Sequence, residues 1–195
     1  MTPFFFIRKT AWLLLAVLLP LSVLAFRPRP APAIPRFVDE KPMAEVAAEQ
    51  NALCLVDAIV QIESGGNARM VGRHGERGLM QIKADTWRDM TLRLFGKPLP
   101  FDQAFDPALN RRVGTAYLAW LQESLLPCQA EWKADERTLL LAAYNAGPGR
   151  LRQSGFDLAG MPSQTQDYVE RASALHDGYL RDQASSLRQQ LLASL

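Results

Sequence analysis

The chain has 195 residues with 22 basic and 20 acidic side chains, a formal net charge of +2, and 48% hydrophobic residues. Five of the basic residues (Arg8, Lys9, Arg27, Arg29 and Arg36) precede Phe37, so 17 basic side chains face 20 acidic ones in the remainder. A slightly acidic body of this size suffices for one domain with its own core, and it lacks the basic face that a nucleic-acid binder presents.

The N-terminus has the pattern of an export signal. Arg8-Lys9 form a positive region, Ala11 to Leu24 is apolar and uncharged, and Val23-Leu24-Ala25 supplies the small-residue pattern of a cleavage site. Residues 1–25 are therefore expected to be a signal peptide. The alternative is an uncleaved anchor, because the uncharged stretch from Thr10 to Phe26 sits at the lower limit for a membrane span. Either places the rest of the chain in the periplasm or cell envelope, touching a membrane only through this segment. Residues 26–42, rich in Pro, make an extended spacer.

From Met43 the periodicity becomes helical. Val46, Ala47, Leu53, Val56, Ile59, Val60 and Ile62 recur mostly at three- and four-residue spacing, with a break allowed near Gln50-Asn51, and Gly65-Gly66 end the helix. Gly72 to Gly78 is turn-rich, and Leu79 to Ile82 is a short apolar segment, extended or loop. Ala84 to Phe95 reads as a helix stopped by Gly96, and Lys97 to Ala104 as a loop. Asp106-Pro107 is a strong helix start, with Asp as cap and Pro in the first turn; that helix runs to about Leu126, where Pro127 stops it. Asp135 caps a helix from Glu136 to about Tyr144, broken by Gly147-Pro148-Gly149. Ser163 is expected to cap a last long helix through Tyr168, Ala172, Leu175 and Leu180. The fold class is mainly α, one globular domain over 43–182, with an irregular or β-like segment near residue 80 and a polar helical tail over 183–195.

Three segments are not explained by core packing. Glu63 lies on the apolar stripe of the first helix, next to glycines, where partial desolvation favours the protonated carboxyl that a general acid requires. Gly75 and Gly78 let backbone approach a ligand, and the amide of Gln81 is close enough in sequence to turn back towards Glu63. Tyr144 and Asn145 place an aromatic and an amide at a glycine-lined helix end, a combination suited to sugar rings and N-acetyl groups. Each residue also has an ordinary alternative: Met80 as gap-filling core, Tyr144 as core, and Asn145 as a helix cap. Cys54 and Cys128 permit a disulfide or two separate thiols. No metal or cofactor is expected: His74 and His176 lack ligand spacing, and Cys54 has no neighbouring histidine.

Glu63-Ser64, Gly78-Leu79-Met80-Gln81-Ile82, Ala143-Tyr144-Asn145-Ala146-Gly147-Pro148-Gly149 and Thr165-Gln166-Asp167-Tyr168-Val169 occur in the order of the lytic transglycosylase catalytic domain of the soluble-transglycosylase type, which the chain resembles from about Leu53 to Leu175. Asp106-Pro107, Asn110, Gly114 and Tyr117-Leu118 match its connecting helix. The resemblance implies a lysozyme-like fold and cleavage of peptidoglycan glycan strands between N-acetylmuramic acid and N-acetylglucosamine. It assigns Glu63 as the sole catalytic acid/base and Gln81, Tyr144, Asn145 and Tyr168 to the sugar-binding cleft; Ser64 and Met80, within the same motifs, are further substrate-binding candidates. The substrate would supply the second group: its N-acetyl carbonyl steadies the developing cation, and its 6-hydroxyl closes a 1,6-anhydro ring. The chain departs from the family where a serine is often found (Gly72), where Met-Pro is usual (Lys83-Ala84), and where Thr-Arg precedes the last tyrosine (Gln166-Asp167). Glu76, Asp85 and Asp89 are the other nearby carboxylates, each expected to be solvated.

Two further functions remain open from sequence: a goose-type lysozyme, which uses water, and a non-catalytic wall-binding module. A short export signal, a spacer and one domain would suit local opening of the wall for an envelope-spanning secretion or conjugation apparatus.

Overall fold

The computed structural model describes residues 41–194. The expected export segment and all but the last two spacer residues lie outside the described residues. Among the described residues, no helix is long and apolar enough to cross a membrane.

Among the described residues, six α-helices carry the domain: α1 (Met43–Ser64), α2 (Ala84–Phe95), α3 (Pro107–Leu125), α4 (Glu136–Ala146), α5 (Pro148–Gln153) and α6 (Ser163–Ala193). Helix α4 is central because it is apolar on every side: Leu139, Leu140, Leu141, Ala142 and Ala143 are all buried, as expected for a helix with no solvent face. Helices α3, α5 and α6 pack around it, and α1 lies against α6. The inward stripe of α6 (Thr165, Tyr168, Val169, Ala172 and His176) repeats at three- and four-residue spacing. Helix α1 is buried only in its second half, through Cys54, Val56, Ala58, Ile59 and Val60.

The helix ends follow the local chemistry with two exceptions. Asp106 accepts from the Leu109 N–H at 2.7 Å and Asp135 from the Thr138 N–H at 3.1 Å, as N-caps do. Gly65 closes α1 in the left-handed region at φ 59°. Ser163, however, is the first residue of α6 rather than its cap; Pro162 holds the cap position, with no side-chain bond. Gly147-Pro148 ends α4 but also starts α5, since a proline in the first turn needs no N–H donor. Helix α1 runs unbroken through Gln50-Asn51, and 3₁₀ turns at Phe101–Phe105 and Leu126–Glu131 occupy regions where the sequence indicated loop or helix end. The polar tail continues α6 to Ala193, with Leu187, Leu191 and Leu192 exposed.

The β-like segment is a compact hairpin-like loop between α1 and α2. Isolated antiparallel bridges join Val71 to Arg77 and Arg77 to Ile82. Its anchor is Asn110 on α3, a fully buried side chain. Asn110 Nδ2 donates to the carbonyls of Arg77 (3.0 Å) and Ala104 (2.8 Å), while Oδ1 accepts from the Met80 N–H (2.8 Å). Gly78 makes this approach possible: at φ +78°, a Cβ there would stand 2.2 Å from the Ala104 carbonyl oxygen. Arg77 then lies over the rings of Phe101 and Phe105, 4.3 and 5.1 Å from their centroids.

Candidate active site

Glu63 is the penultimate residue of α1, where the helix leaves the core and the left-handed Gly65 turns the chain away. Its Oε1 accepts a hydrogen bond from the Tyr168 hydroxyl of α6 at 2.9 Å. With Oε1 committed as an acceptor, Oε2 is the oxygen left to carry a proton. Burial pushes the Glu63 carboxyl up from 4.5 to about 7; the Tyr168 bond opposes this, the charge of Glu76 adds to it, and Lys83 opposes it. Tyr168 and Tyr144 are themselves driven well above the usual phenol range, first by burial and then by the Glu63 charge, so both stay protonated donors.

A cleft of about 540 Å³ opens at Glu63. Its walls come from the loop after α1 (Gly72, Glu76, Gln81 and Lys83), from the α4–α5 junction (Tyr144, Asn145 and Arg150), from Tyr117 of α3, and from Thr165 at the start of α6. Tyr144 reaches across to donate to the Met80 carbonyl at 2.7 Å, fixing the loop against α4. Its ring meets that of Tyr117 at 5.5 Å, and Tyr117 stacks on Trp120 at 5.8 Å. Asn145 Oδ1 accepts from the Thr165 hydroxyl at 3.0 Å, which leaves its amide N–H groups for a ligand. Gln81 holds an uncommon positive φ of 45°, and its amide nitrogen donates to the Gly78 and Met70 carbonyls at 2.9 and 3.1 Å.

Of the residues singled out from sequence, Glu63, Gln81, Tyr144 and Asn145 come together in this cleft. Tyr168 does not line it; it is 7% exposed and acts on Glu63 from behind. Two assignments to the sugar cleft are corrected. Ser64 spends its hydroxyl on the Leu79 and Val60 carbonyls, at 2.8 and 3.2 Å, tying α1 to the loop. Met80 is fully buried, its sulfur so close to Gly114 that a Cβ there would stand 2.2 Å away. The apolar thioether packs inward, and only the Met80 backbone serves the site. Cys54 and Cys128 are free thiols: Cys54 is buried as a small hydrophobe on the inner face of α1, and Cys128 is half-buried in the turn after α3.

Glu76 also requires correction. Asp85 and Asp89 are solvated as expected, with side chains 84% and 58% exposed beside Arg88. The Glu76 side chain is only 14% exposed and lines the cleft. Lys83, Arg150, Tyr117 and Thr165 were not marked as cleft residues either. For these four nothing in the sequence separates a cleft role from a structural one, whereas Glu76, inside a glycine-rich turn 13 residues after Glu63, offered a signal. Gln166 and Asp167 are remote from the chemistry: Gln166 donates to the Met161 carbonyl at 2.8 Å, and Asp167 is exposed.

Residues 43–157, well over half the chain, match the Transglycosylase SLT domain family. The chain belongs to that family. The chain is 33% identical over 137 residues to the soluble lytic murein transglycosylase of Escherichia coli (strain K12), covering 64% of this chain and 20% of that protein. It is 32% identical over 129 residues to the endo-type membrane-bound lytic murein transglycosylase A of Citrobacter koseri, covering 64% of this chain and 63% of that one. Among solved structures, an inactive mutant of the lytic transglycosylase Slt from Pseudomonas aeruginosa matches with a TM-score of 0.56 and 27% identity, over 73% of this chain and 25% of that one. The SLT-domain chain thus spans about a fifth of the length of the E. coli enzyme. Its lysozyme-like helical architecture agrees with these neighbours.

Proposed function

We propose that the protein is a peptidoglycan lytic transglycosylase in which Glu63 cleaves the β-1,4 bond between N-acetylmuramic acid and N-acetylglucosamine. The observation that carries this is a carboxyl raised by burial to about 7, opening onto a cleft lined by Gln81, Tyr144 and Asn145. Family membership and the names of the relatives, all lytic murein transglycosylases, support the same reaction class.

The steps are those the family resemblance implies, and the geometry of the cleft is compatible with each. At neutral pH a large fraction of Glu63 carries a proton and donates it to the glycosidic oxygen, a role that contributes roughly 10²–10⁴-fold. The bond to the muramic C1 breaks, and the substrate's own N-acetyl carbonyl neutralises the developing positive charge. Asn145 supplies amide N–H groups to hold that N-acetyl arm, and Tyr144 presents its ring to the sugar face. Ionised Glu63, steadied by the Tyr168 hydroxyl, then takes the proton of the 6-hydroxyl as the ring closes to the 1,6-anhydro product. The export-type pattern expected of residues 1–25 supports the cell envelope as the location, beside the glycan strands, and in this reading the enzyme opens the wall locally for an envelope-spanning machine.

The test is mass spectrometry of purified sacculi digested by the wild type and by Glu63→Gln. The wild type is expected to release 1,6-anhydromuramoyl products, and the variant to lose at least 10²-fold of that release. A wild type that releases no glycan fragments would overturn the assignment.

A further inference from the structure

The structure supplies a reason for glycine at position 72. A Cβ at Gly72 would lie 2.5 Å from Glu76 Oε2 and 2.6 Å from Gln81 Oε1. No side chain fits there, because two acceptor oxygens converge on that point and lie within about 5 Å of each other. Gln81 Oε1 is aimed by its own amide nitrogen, which is bound to the Gly78 and Met70 carbonyls. Glu76 is aimed by the His74 backbone N–H, which donates to Oε2 at 2.9 Å, with Lys83 and His74 beside Oε1 at 3.9 and 3.5 Å. Two fixed acceptors this near to each other can share one water that donates a hydrogen to each and turns its lone pairs away from both.

We propose that Glu76 is a second catalytic carboxylate of this cleft, acting as the base for a water held between it and Gln81, so that a share of cleavage events ends in hydrolysis. The proposal rests on Glu63 as the acid, as argued above. In this branch the Glu63 proton passes to the glycosidic oxygen, and the C1–O bond breaks with its electron pair on the leaving N-acetylglucosamine oxygen. The water oxygen bonds to C1, and its proton goes to the Glu76 carboxylate. One water is consumed, the muramic acid leaves with a reducing end, and both carboxyls return to their starting states by exchange with solvent. Paired carboxylates with opposed proton states are how hydrolytic glycosidases divide these two roles. The same division exists here. Partial burial would raise Glu76, but its own backbone N–H, that of His74 and the charge of Lys83 hold it below the ordinary carboxylate range, while Glu63 stays high.

Sacculi are first reduced with borohydride, digested with the full chain, and then reduced with borodeuteride. Deuterated muramitol ends count hydrolysis, and unreduced 1,6-anhydro ends count ring closure. The wild type is expected to give both. The ratio of deuterated to anhydro ends is expected to fall at least tenfold in Glu76→Gln, and less in Glu76→Asp. A folding defect lowers both products together and leaves the ratio alone. Anhydro ends alone from the wild type, or an unchanged ratio in the Glu76 variants, would reduce Glu76 to a turn-capping residue and leave the transglycosylase assignment standing. No release of either product would overturn both.

Discussion

The cleft is built from two arms that treat a carboxylate in opposite ways. On the α1 arm, Glu63 emerges from an apolar helix end and has one hydrogen-bond donor, Tyr168. Desolvation wins, and the carboxyl is pushed up to about 7. On the loop arm, Glu76 sits in a tight turn whose backbone N–H groups point at it, with Lys83 close by. Hydrogen bonds and charge win, and the group stays ionised. The two residues have the same side chain and share one cavity. What separates their chemistry is the backbone that presents each one: a helix C-terminus offers no free N–H, whereas a turn offers several.

The largest effect is expected from removing the charge on the first arm. Glu63→Gln should abolish glycan release by at least 10²-fold, and it should also change stability in a pH-dependent way. The folded state raises this carboxyl from 4.5 to about 7, so the native protein holds the proton more tightly than the unfolded chain. The cost of the buried charge is absent below 4.5, grows between 4.5 and 7, and is complete above 7. Glu63→Gln should therefore melt like the wild type near pH 4 and be more stable by about 1–3 kcal/mol near pH 8. Equal melting at both pH values would mean that Glu63 is solvated.

The loop arm is tested next through its anchor. Asn110→Ala leaves the Met80 N–H and the Arg77 and Ala104 carbonyls without their buried partner. Urea unfolding should report a loss of about 2–4 kcal/mol, since each buried orphan costs about 1–3 kcal/mol and the loop relaxes in part. A loss below 1 kcal/mol would show that the loop does not depend on α3.

Smaller effects sharpen the electrostatic contrast. Tyr168→Phe removes the bond that favours ionised Glu63, so the high-pH limb of the activity profile should move upward from about 7, with a several-fold lower rate at neutral pH. Smallest of all, Glu76→Gln removes a neighbouring negative charge and should move that limb down, whereas Lys83→Met removes a positive one and should move it up. Shifts of the same sign in these two variants would break the picture of a Glu63 tuned by opposing neighbours.

Much of this was legible in the chain alone. The 3.6-residue periodicity, the Asp106-Pro107 start and the Gly65 stop are local, and local chemistry decided them. The motifs around Glu63, Gln81 and Tyr144-Asn145 mark segments that the fold brings into one cleft, because glycine, amide and aromatic residues clustered in short segments leave a mark that core packing does not. Other features left no such mark. Whether Met80 faced the ligand or the core depended on the space opened by Gly114, 34 residues away, and whether Ser64 was free depended on a carbonyl at Leu79. The sequence by itself thus determined the helices and the family. Tertiary structure alone decided which side chains face the cleft and that Glu76 is shielded rather than solvated, because burial and convergence are properties of segments brought together by folding.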